Sequence, residues 1–381
     1  MKTYKIALLA GDGIGPEVMK QAVKVLKAVE ARNPEVAFEL NEALFGAVAY
    51  FETGKSFPAE TIAICDEADA ILKGTIGLNH EDSKKIPVDE QPERGALLPL
   101  RRRYNTYANF RPVYLPQELA HFSPLKPEVI GEGIDLMIIR ELVGGLYFGE
   151  KEVGKDDNGK RYVREVLEYD EDQIRDILKV GFETAQRRKK VLHNIHKSNV
   201  LKSSVLWNEI LEEVAVDYPD VEVKHILVDA AATYLCLNPG QFDVMVMENM
   251  FGDILSEEAS VIVGSIGLLA SASIGDKHAM FEPIHGAYTK AINKGIANPI
   301  GAILSAAMLL DYFDLSNEAN AIKKAVTKAM ELNLTTPDLN KQKPLSTEKI
   351  GDFIADYICN PDLTNFNIEN IYLGPLSLIA V

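Results

Sequence analysis

Short apolar runs of strand length alternate with stretches of helical periodicity along nearly the whole chain. That alternation restricts the fold more than any other feature. Tyr4–Ala10, Ala70–Lys73, Leu136–Ile139, Val191–Ile195, Lys224–Val228 and Val244–Met247 read as short strands. The spacing of apolar side chains predicts helices over Pro16–Glu30, Glu171–Arg188, Ser203–Val216, Ser256–Ser265, Ile300–Tyr312 and Ser316–Leu332. Strands separated by helices pair side by side in one direction, so the expected class is α/β with a mixed, largely parallel central sheet. At the first strand-to-helix junction, Gly11–Gly15 turns the chain and Pro16 takes a first helical position, where its missing N–H is not needed. The glycines of GDGIGPE fall at 11, 13 and 15 rather than in G-x-G-x-x-G order, so this turn is not the dinucleotide fingerprint of a Rossmann fold.

The 381 residues suffice for a large single unit or two domains sharing one sheet. No repeat or low-complexity linker divides them. The polar stretch Glu150–Asp172, containing KDDNGKRYVRE, reads as an exposed hairpin arm with Asn158-Gly159 at its tip. Such an arm is either a solvated loop or a dimer contact. From about Cys359 the chain reads as an appended tail without a legible role.

A formal charge of −16 argues against nucleic acid as a partner, because phosphate binding needs clustered Lys and Arg. Arg101–Arg103 is the local exception and reads equally as a solvated helix face or an anion site. No apolar run is long enough to cross a bilayer. Ile6–Ala10, about five residues, is shorter than a secretory-signal core, so a cytoplasmic protein with no membrane partner is expected. Cys65, Cys236 and Cys359 are scattered and odd in number, which disfavours a disulfide framework or a structural zinc site.

Several residue types converge on acid chemistry. In ENMFGDILSEEAS, Asp253 and Glu257 stand four apart, which on a helix places both carboxylates on one face about a turn apart. That is a pair for a hard cation such as Mg²⁺ or Mn²⁺, or an ordinary solvated acidic helix. Arg101, Arg111 and Arg140 offer guanidinium forks suited to a carboxylate-rich ligand, although each alone fits a surface ion pair. Lys197 follows an apolar strand and suits a base if cations lower its pKa; alone it fits a structural lysine. Tyr147, among glycines in GGLYFG, reads as a proton donor or a packing residue. His285-Gly286 and Ala297-Asn298-Pro299 flank a polar loop able to wrap a nucleotide. His193, His196 and His285 have no regular metal-ligand spacing.

Taken together, LLAGDGIGPEV, QPERGALLPLRRRYNTYANFRPV, RELVGGLYFGE, HKSNVLKSSVLW, ENMFGDILSEEAS, FEPIHG and KGIANPIGAILSAAMLL, in this order, resemble the isocitrate/isopropylmalate dehydrogenase family. The resemblance spans nearly the whole chain. It is greatest to the isopropylmalate branch, since Leu97 and Leu98 precede Arg101 where that branch receives an isopropyl group and isocitrate enzymes carry a polar residue.

The resemblance implies a two-domain isopropylmalate dehydrogenase-like fold, with residues 1–107 and 262–381 on the cofactor side. Residues 108–261 would form the substrate, metal and dimerisation domain, its arm near 150–172. It implies oxidation and decarboxylation of a 3-isopropylmalate-type 2-hydroxy diacid, as in leucine biosynthesis, with NAD reduced and Mg²⁺ or Mn²⁺ bound. By resemblance Arg101, Arg111, Arg140 and Asp229 bind substrate beside Leu97 and Leu98, and Asp229, Asp253 and Glu257 hold the metal. Tyr147 and Lys197 form the catalytic pair, and Glu282, His285, Gly286, Ala287, Lys290 and Asn298 meet the cofactor. Lys197 and Asp229 would come from the second subunit of a homodimer.

Departures from the pattern matter. Glu257 stands where the branch has Asp, which moves the carboxylate by about 1.5 Å. His196 replaces an Asp. Lys290 stands where NAD-dependent members have Asp, which admits NADP, and LKGTIGLNHED lacks the usual Gly-Pro-Lys-Trp-like stretch. Rival readings are a related β-decarboxylating enzyme for tartrate, malate, homoisocitrate or isocitrate, or a lyase or diacid-binding protein without dinucleotide use.

Overall fold

The first apolar run becomes β1 (Lys2–Gly11), buried without interruption from Ile6 to Leu9, as a strand covered on both faces must be. The computed structural model describes residues 1–361. After β1 come helix Gly15–Arg32, β2 (Val36–Glu42) and β3 (Ala70–Thr75). Helix Leu98–Tyr104 leads to β4 (Ala108–Pro116), β5 (Gly133–Glu141) and the pair β6 (Lys151–Lys155) and β7 (Arg161–Glu165). Helices then alternate with β8 (Val191–His196), β9 (Glu222–Leu227) and β10 (Val244–Met247), and the chain returns through β11 (Ala270–Ile274) and β12 (Ala279–Pro283).

The fold comprises two compact units. One holds Met1–Tyr104, Gly264–Ala272 and the described residues from Asp276 on; the other holds Asn105–Val263 with Ser273–Gly275. The first has strand order β2-β1-β3-β12-β11, with β1 parallel to β2 and β3, and β12 parallel to β3. The second has order β4-β5-β10-β8-β9, with β5, β10, β8 and β9 parallel and β4 antiparallel to β5. The sheet is therefore mixed and mostly parallel, as the alternation implies.

In the second unit, helices Glu171–Gln186 and Lys202–Ala215 bury Ile174, Ile177, Phe182, Trp207 and Leu211 against Ile139, Leu192 and Val246 of the strands. Asp170 caps the first of these helices in a reciprocal capping box with Gln173. In the first unit, Leu9, Phe45, Ile71, Leu100 and Met280 form a corresponding core.

The arm is a two-stranded hairpin. Asp156 Oδ1 accepts the N–H groups of Asn158 and Lys160, and Gly159 adopts φ 77°, a left-handed conformation that costs glycine little. Most elements differ from expectation by one to three residues at an end, and two differences bear on the site. The expected helix Ser256–Ser265 instead runs Asn249–Ser260, because the Glu248 side chain caps it by accepting Phe251 N–H, seven residues earlier than apolar spacing suggested. Strand β9 ends at Leu227, and Val228 opens helix Val228–Leu237, which puts Asp229 in its first turn. Cys359 ends helix Thr347–Cys359, so most of the expected tail lies outside the described residues. No helix among the described residues is long and apolar enough to cross a membrane.

Ile177 is fully buried between these helices and the strands. Ile177→Ala should lower unfolding stability by about 2–5 kcal/mol, measured by urea denaturation. Ala at exposed Val216 should stay within about 0.5 kcal/mol. Equal effects would contradict this placement of the core.

Candidate active site

In the second unit the carboxyl ends of the parallel strands carry the polar residues, the edge where open α/β sheets bind ligands. Arg140 sits near the end of β5, in register with Met247 at the end of β10. Helix Asn249–Ser260 follows β10 and presents Asn249, Asp253 and Ser256 at helical spacing on one side.

Arg140 is almost wholly buried. Its Nε and Nη2 donate to Asn249 Oδ1 at 3.0 and 2.7 Å, and its Nη1 donates to Asp253 Oδ1. A Cβ at Gly252 would stand 2.5 Å from Arg140 Cγ, so only glycine lets the helix come this close to the guanidinium stem. Arg111 reaches the same helix from β4. Asn109 pairs across from Arg140, and Arg111, two residues on, shares its face. Arg111 Nε donates to Asn109 Oδ1 at 2.7 Å, and Nη1 donates to Ser256 Oγ at 2.5 Å. Its Nη2 lies 3.7 Å from Asp253.

Tyr147 completes the cluster by donating its hydroxyl to Asp253 Oδ2 at 2.9 Å. Burial, reinforced by the Asp253 charge, pushes the Tyr147 phenol above its ordinary value and keeps it a proton donor near neutrality. Glu257 is one turn beyond Asp253. Desolvation pushes its carboxyl up and the Asp253 charge adds to this, while Arg111 and Arg140 partly offset it.

Lys197 and Asp229 form a separate pair, with Nζ donating to Oδ1 at 2.6 Å. That bond holds the exposed Asp229 carboxyl below its usual range. Asp229 does not join Asp253 and Glu257 within one chain: among the described residues no three His, Cys, Asp or Glu side chains are grouped to hold a metal. The buried His196 beside Lys197 accepts the Ser198 N–H through Nδ1 at 3.2 Å.

In the first unit, the half-buried Leu97 and Leu98 stand four and three residues before Arg101 where segment Pro92–Leu97 runs into helix Leu98–Tyr104, and Leu97 packs against the core. Arg101 lies 3.4 Å from Glu282, which also pairs with the buried Lys73 at 2.5 Å. A cavity of about 360 Å³ is lined by His285, Gly286 and Asn298 together with Ile14, Tyr288 and Asp338. His285 Nε2 is buried without a partner. Of the six residues assigned by resemblance to the cofactor, Glu282, Ala287 and Lys290 do not line this cavity. Ala287 instead receives the Ile14 N–H on its carbonyl, and Lys290 is exposed on a short turn. Asp12 of the GDG turn accepts the N–H groups of Ala47, Val48 and Gly77.

Sequence reasoning missed Asn249, Ser256 and Glu141. Asn249 and Ser256 were detectable as polar residues four before and three after Asp253. Glu141 follows Arg140 and is wholly buried, its carboxylate accepting the N–H groups of Val143 and Gly144 in the turn toward Tyr147.

The sequence matches the family model described as isocitrate/isopropylmalate dehydrogenase over residues 5–354. It is 46% identical to a 3-isopropylmalate dehydrogenase of Aquifex aeolicus, over 93% of this chain and 97% of that one. It is 43% identical to the enzyme of that name from Campylobacter jejuni, over 94% and 98%. Among solved structures it is similar to an isocitrate dehydrogenase from Methylococcus capsulatus, with TM-score 0.83, 32% identity and coverage of 93% and 99%. A β-decarboxylating dehydrogenase from Thermococcus kodakarensis matches with TM-score 0.74, 35% identity and coverage of 93% and 96%.

Burial pushes the Glu141 carboxyl up to about 7. An acid raised in the folded state adds stability that is full below its unfolded value and is lost as pH rises through about 7. Unfolding free energy measured from pH 4 to 8 should therefore fall less steeply in Glu141→Gln than in the parent. Parallel slopes would contradict a protonated Glu141.

Proposed function

The chain belongs to the isocitrate/isopropylmalate dehydrogenase family, and from that premise we propose that it oxidises and decarboxylates (2R,3S)-3-isopropylmalate. The products are 4-methyl-2-oxopentanoate, CO₂ and reduced NAD, a step of leucine biosynthesis carried out in the cytoplasm. The observation that carries the substrate choice is the placing of the half-buried Leu97 and Leu98 one helical turn before the buried Arg101. Two apolar residues three and four positions before a guanidinium suit a diacid with an apolar branch. A substrate with a third carboxylate would desolvate a charge against leucine.

Arg111 and Arg140 are proposed to grip the malate carboxylates, with Arg101 as a further grip. Asp253 and Glu257 suit a hard cation: two oxygen donors one turn apart, with the Asp253 charge helping to raise the Glu257 carboxyl, a like-charge strain that a cation relieves. Asp229 is proposed as the third ligand, supplied with Lys197 by a second copy in a homodimer. Support for the dimer comes from the exposed apolar side chains Tyr234, Leu237, Ile254 and Val261, on or directly after helices Val228–Leu237 and Asn249–Ser260. The unpartnered His285 Nε2 and the apolar-lined cavity suit the flat, polar-edged base of a dinucleotide.

When bound, Mg²⁺ or Mn²⁺ would polarise the substrate hydroxyl and adjoining carboxylate, and the nicotinamide would take the C2 hydride. The residues move the protons. Lys197, directly or relayed by Asp229, accepts the proton of the C2 hydroxyl as that carbon becomes a carbonyl. The 3-carboxylate then leaves as CO₂, its bonding electrons passing into the adjoining ketone. Tyr147, kept protonated by burial and by Asp253, donates its proton to C3, and Arg140 holds Asp253 in place to receive the Tyr147 hydroxyl.

Steady-state assays of isopropylmalate, malate, tartrate, homoisocitrate and isocitrate against both dinucleotides test the reading. The isopropyl group should raise kcat/KM over malate by roughly a hundredfold, and a preference for any other acid would overturn it. Tyr147→Phe should lower kcat by about a hundredfold or more while substrate KM stays within a few-fold; retained kcat would remove Tyr147 from the chemistry. The Lys290 cation also suits the 2′-phosphate of NADP, so NADP use should be measurable beside a preference for NAD. Lys290→Asp should move the NAD:NADP ratio of kcat/KM toward NAD by about tenfold or more. An unchanged ratio would remove Lys290 from cofactor choice.

A further inference from the structure

Lys73 has no part in the chemistry above, yet it is the one charged side chain in a strand that is buried at every position. Its side chain is 1% exposed. Strands β3 and β12 are parallel, with Ile71 opposite Met280 and Leu72 opposite Phe281, so the next positions along are Lys73 and Glu282. Neighbours on adjacent strands share a face, and Lys73 Nζ stands 2.5 Å from Glu282 Oε2 while also donating to the Gly74 carbonyl at 2.7 Å.

The same carboxylate faces Arg101. There the contact is loose: Nη2 to Glu282 Oε1 is 3.4 Å, well beyond the usual length of a charged hydrogen bond. Arg101 Nε is buried and makes no hydrogen bond at all, and the side chain is only 9% exposed. A buried guanidinium normally commits its fork to a carboxylate in two short bonds. Here a carboxylate is within reach and the fork stays open. Asp12, the other buried carboxylate that senses Lys73, has its oxygens taken by the N–H groups of Ala47, Val48 and Gly77 and gives Arg101 no alternative partner.

We propose that Lys73 is a positioning residue that holds Glu282 away from Arg101, so that the Arg101 guanidinium stays open for an incoming carboxylate. The idea rests on the reading of Arg101 as a substrate grip and adds what keeps the grip unoccupied. Without the ammonium, the nearest countercharge for Glu282 is Arg101, and the substrate has to displace an internal ion pair in order to bind.

The test combines crystal structures of the parent and Lys73→Met with steady-state kinetics on 3-isopropylmalate. In Lys73→Met the Arg101–Glu282 contact should shorten to ordinary hydrogen-bond length and engage Nε or a second nitrogen. Substrate KM should rise about tenfold or more, as expected for losing one charged hydrogen bond to the substrate, with kcat within about threefold. An Arg101 fork that stays open in the variant, or an unchanged KM, overturns the proposal. If Lys73→Met does not fold, Glu282→Gln is compared with Lys73→Met/Glu282→Gln. With no carboxylate at 282 to hold off, Lys73 has no task, so the two should share one substrate KM, and a difference overturns the proposal. Should the parent fail to oxidise isopropylmalate, the substrate reading falls, while the Arg101 geometry in the crystal structures still decides the role of Lys73.

Discussion

Asp253 shares its carboxylate among Arg140, Tyr147 and, at longer range, Arg111, and the second unit is arranged around that sharing. Burial first, and then the Asp253 charge and hydrogen bond, keep the Tyr147 proton in place. The contact depends on the backbone. Arg140 is fixed near the carboxyl end of β5, the helix is fixed after β10, and Gly252 removes the Cβ that would part them. Asn249, wholly buried, takes Nε and Nη2 of the guanidinium, and Nη1 is turned to Asp253.

The two units treat buried charge in opposite ways. In the second, the arginines are committed: Arg140 to Asn249 and Asp253, Arg111 to Asn109 and Ser256. In the first, Arg101 is held loosely and Lys73 takes the strong contact with Glu282. The bonds made by Arg111 and Arg140 fix where those guanidinium groups sit, whereas the loose contact at Arg101 leaves its Nε without a bond. A buried charge held only by a long contact is costly, which suits a role for Arg101 in function rather than stability.

Much of this was legible in the sequence because strand–helix alternation is a direct record of parallel packing. Val244–Met247 and Ile300–Tyr312 appear with the boundaries their apolar runs implied. The misses have physical causes. Strand β4 was not read as a strand, since it carries Pro112 and Pro116 and lacks a continuous apolar run, yet it pairs antiparallel with β5 over its whole length. The helix bearing Asp253 starts at a cap made by Glu248, and one carboxylate side chain leaves no periodic signal. Asp253, Arg140 and Tyr147 were each readable as residue types, but their convergence on one carboxylate depends on strand register, which spacing does not encode. Lys73 was visible as a charge inside an apolar run; its partner 209 positions later was not.

Oxidation and decarboxylation are coupled on one branched diacid in the proposed reaction. The most direct measurement follows CO₂ release and dinucleotide reduction together, with the purified protein, 3-isopropylmalate and Mn²⁺. One CO₂ per dinucleotide reduced, at matching rates, is the predicted result. Reduction without CO₂ release, CO₂ release without reduction, or neither would contradict it.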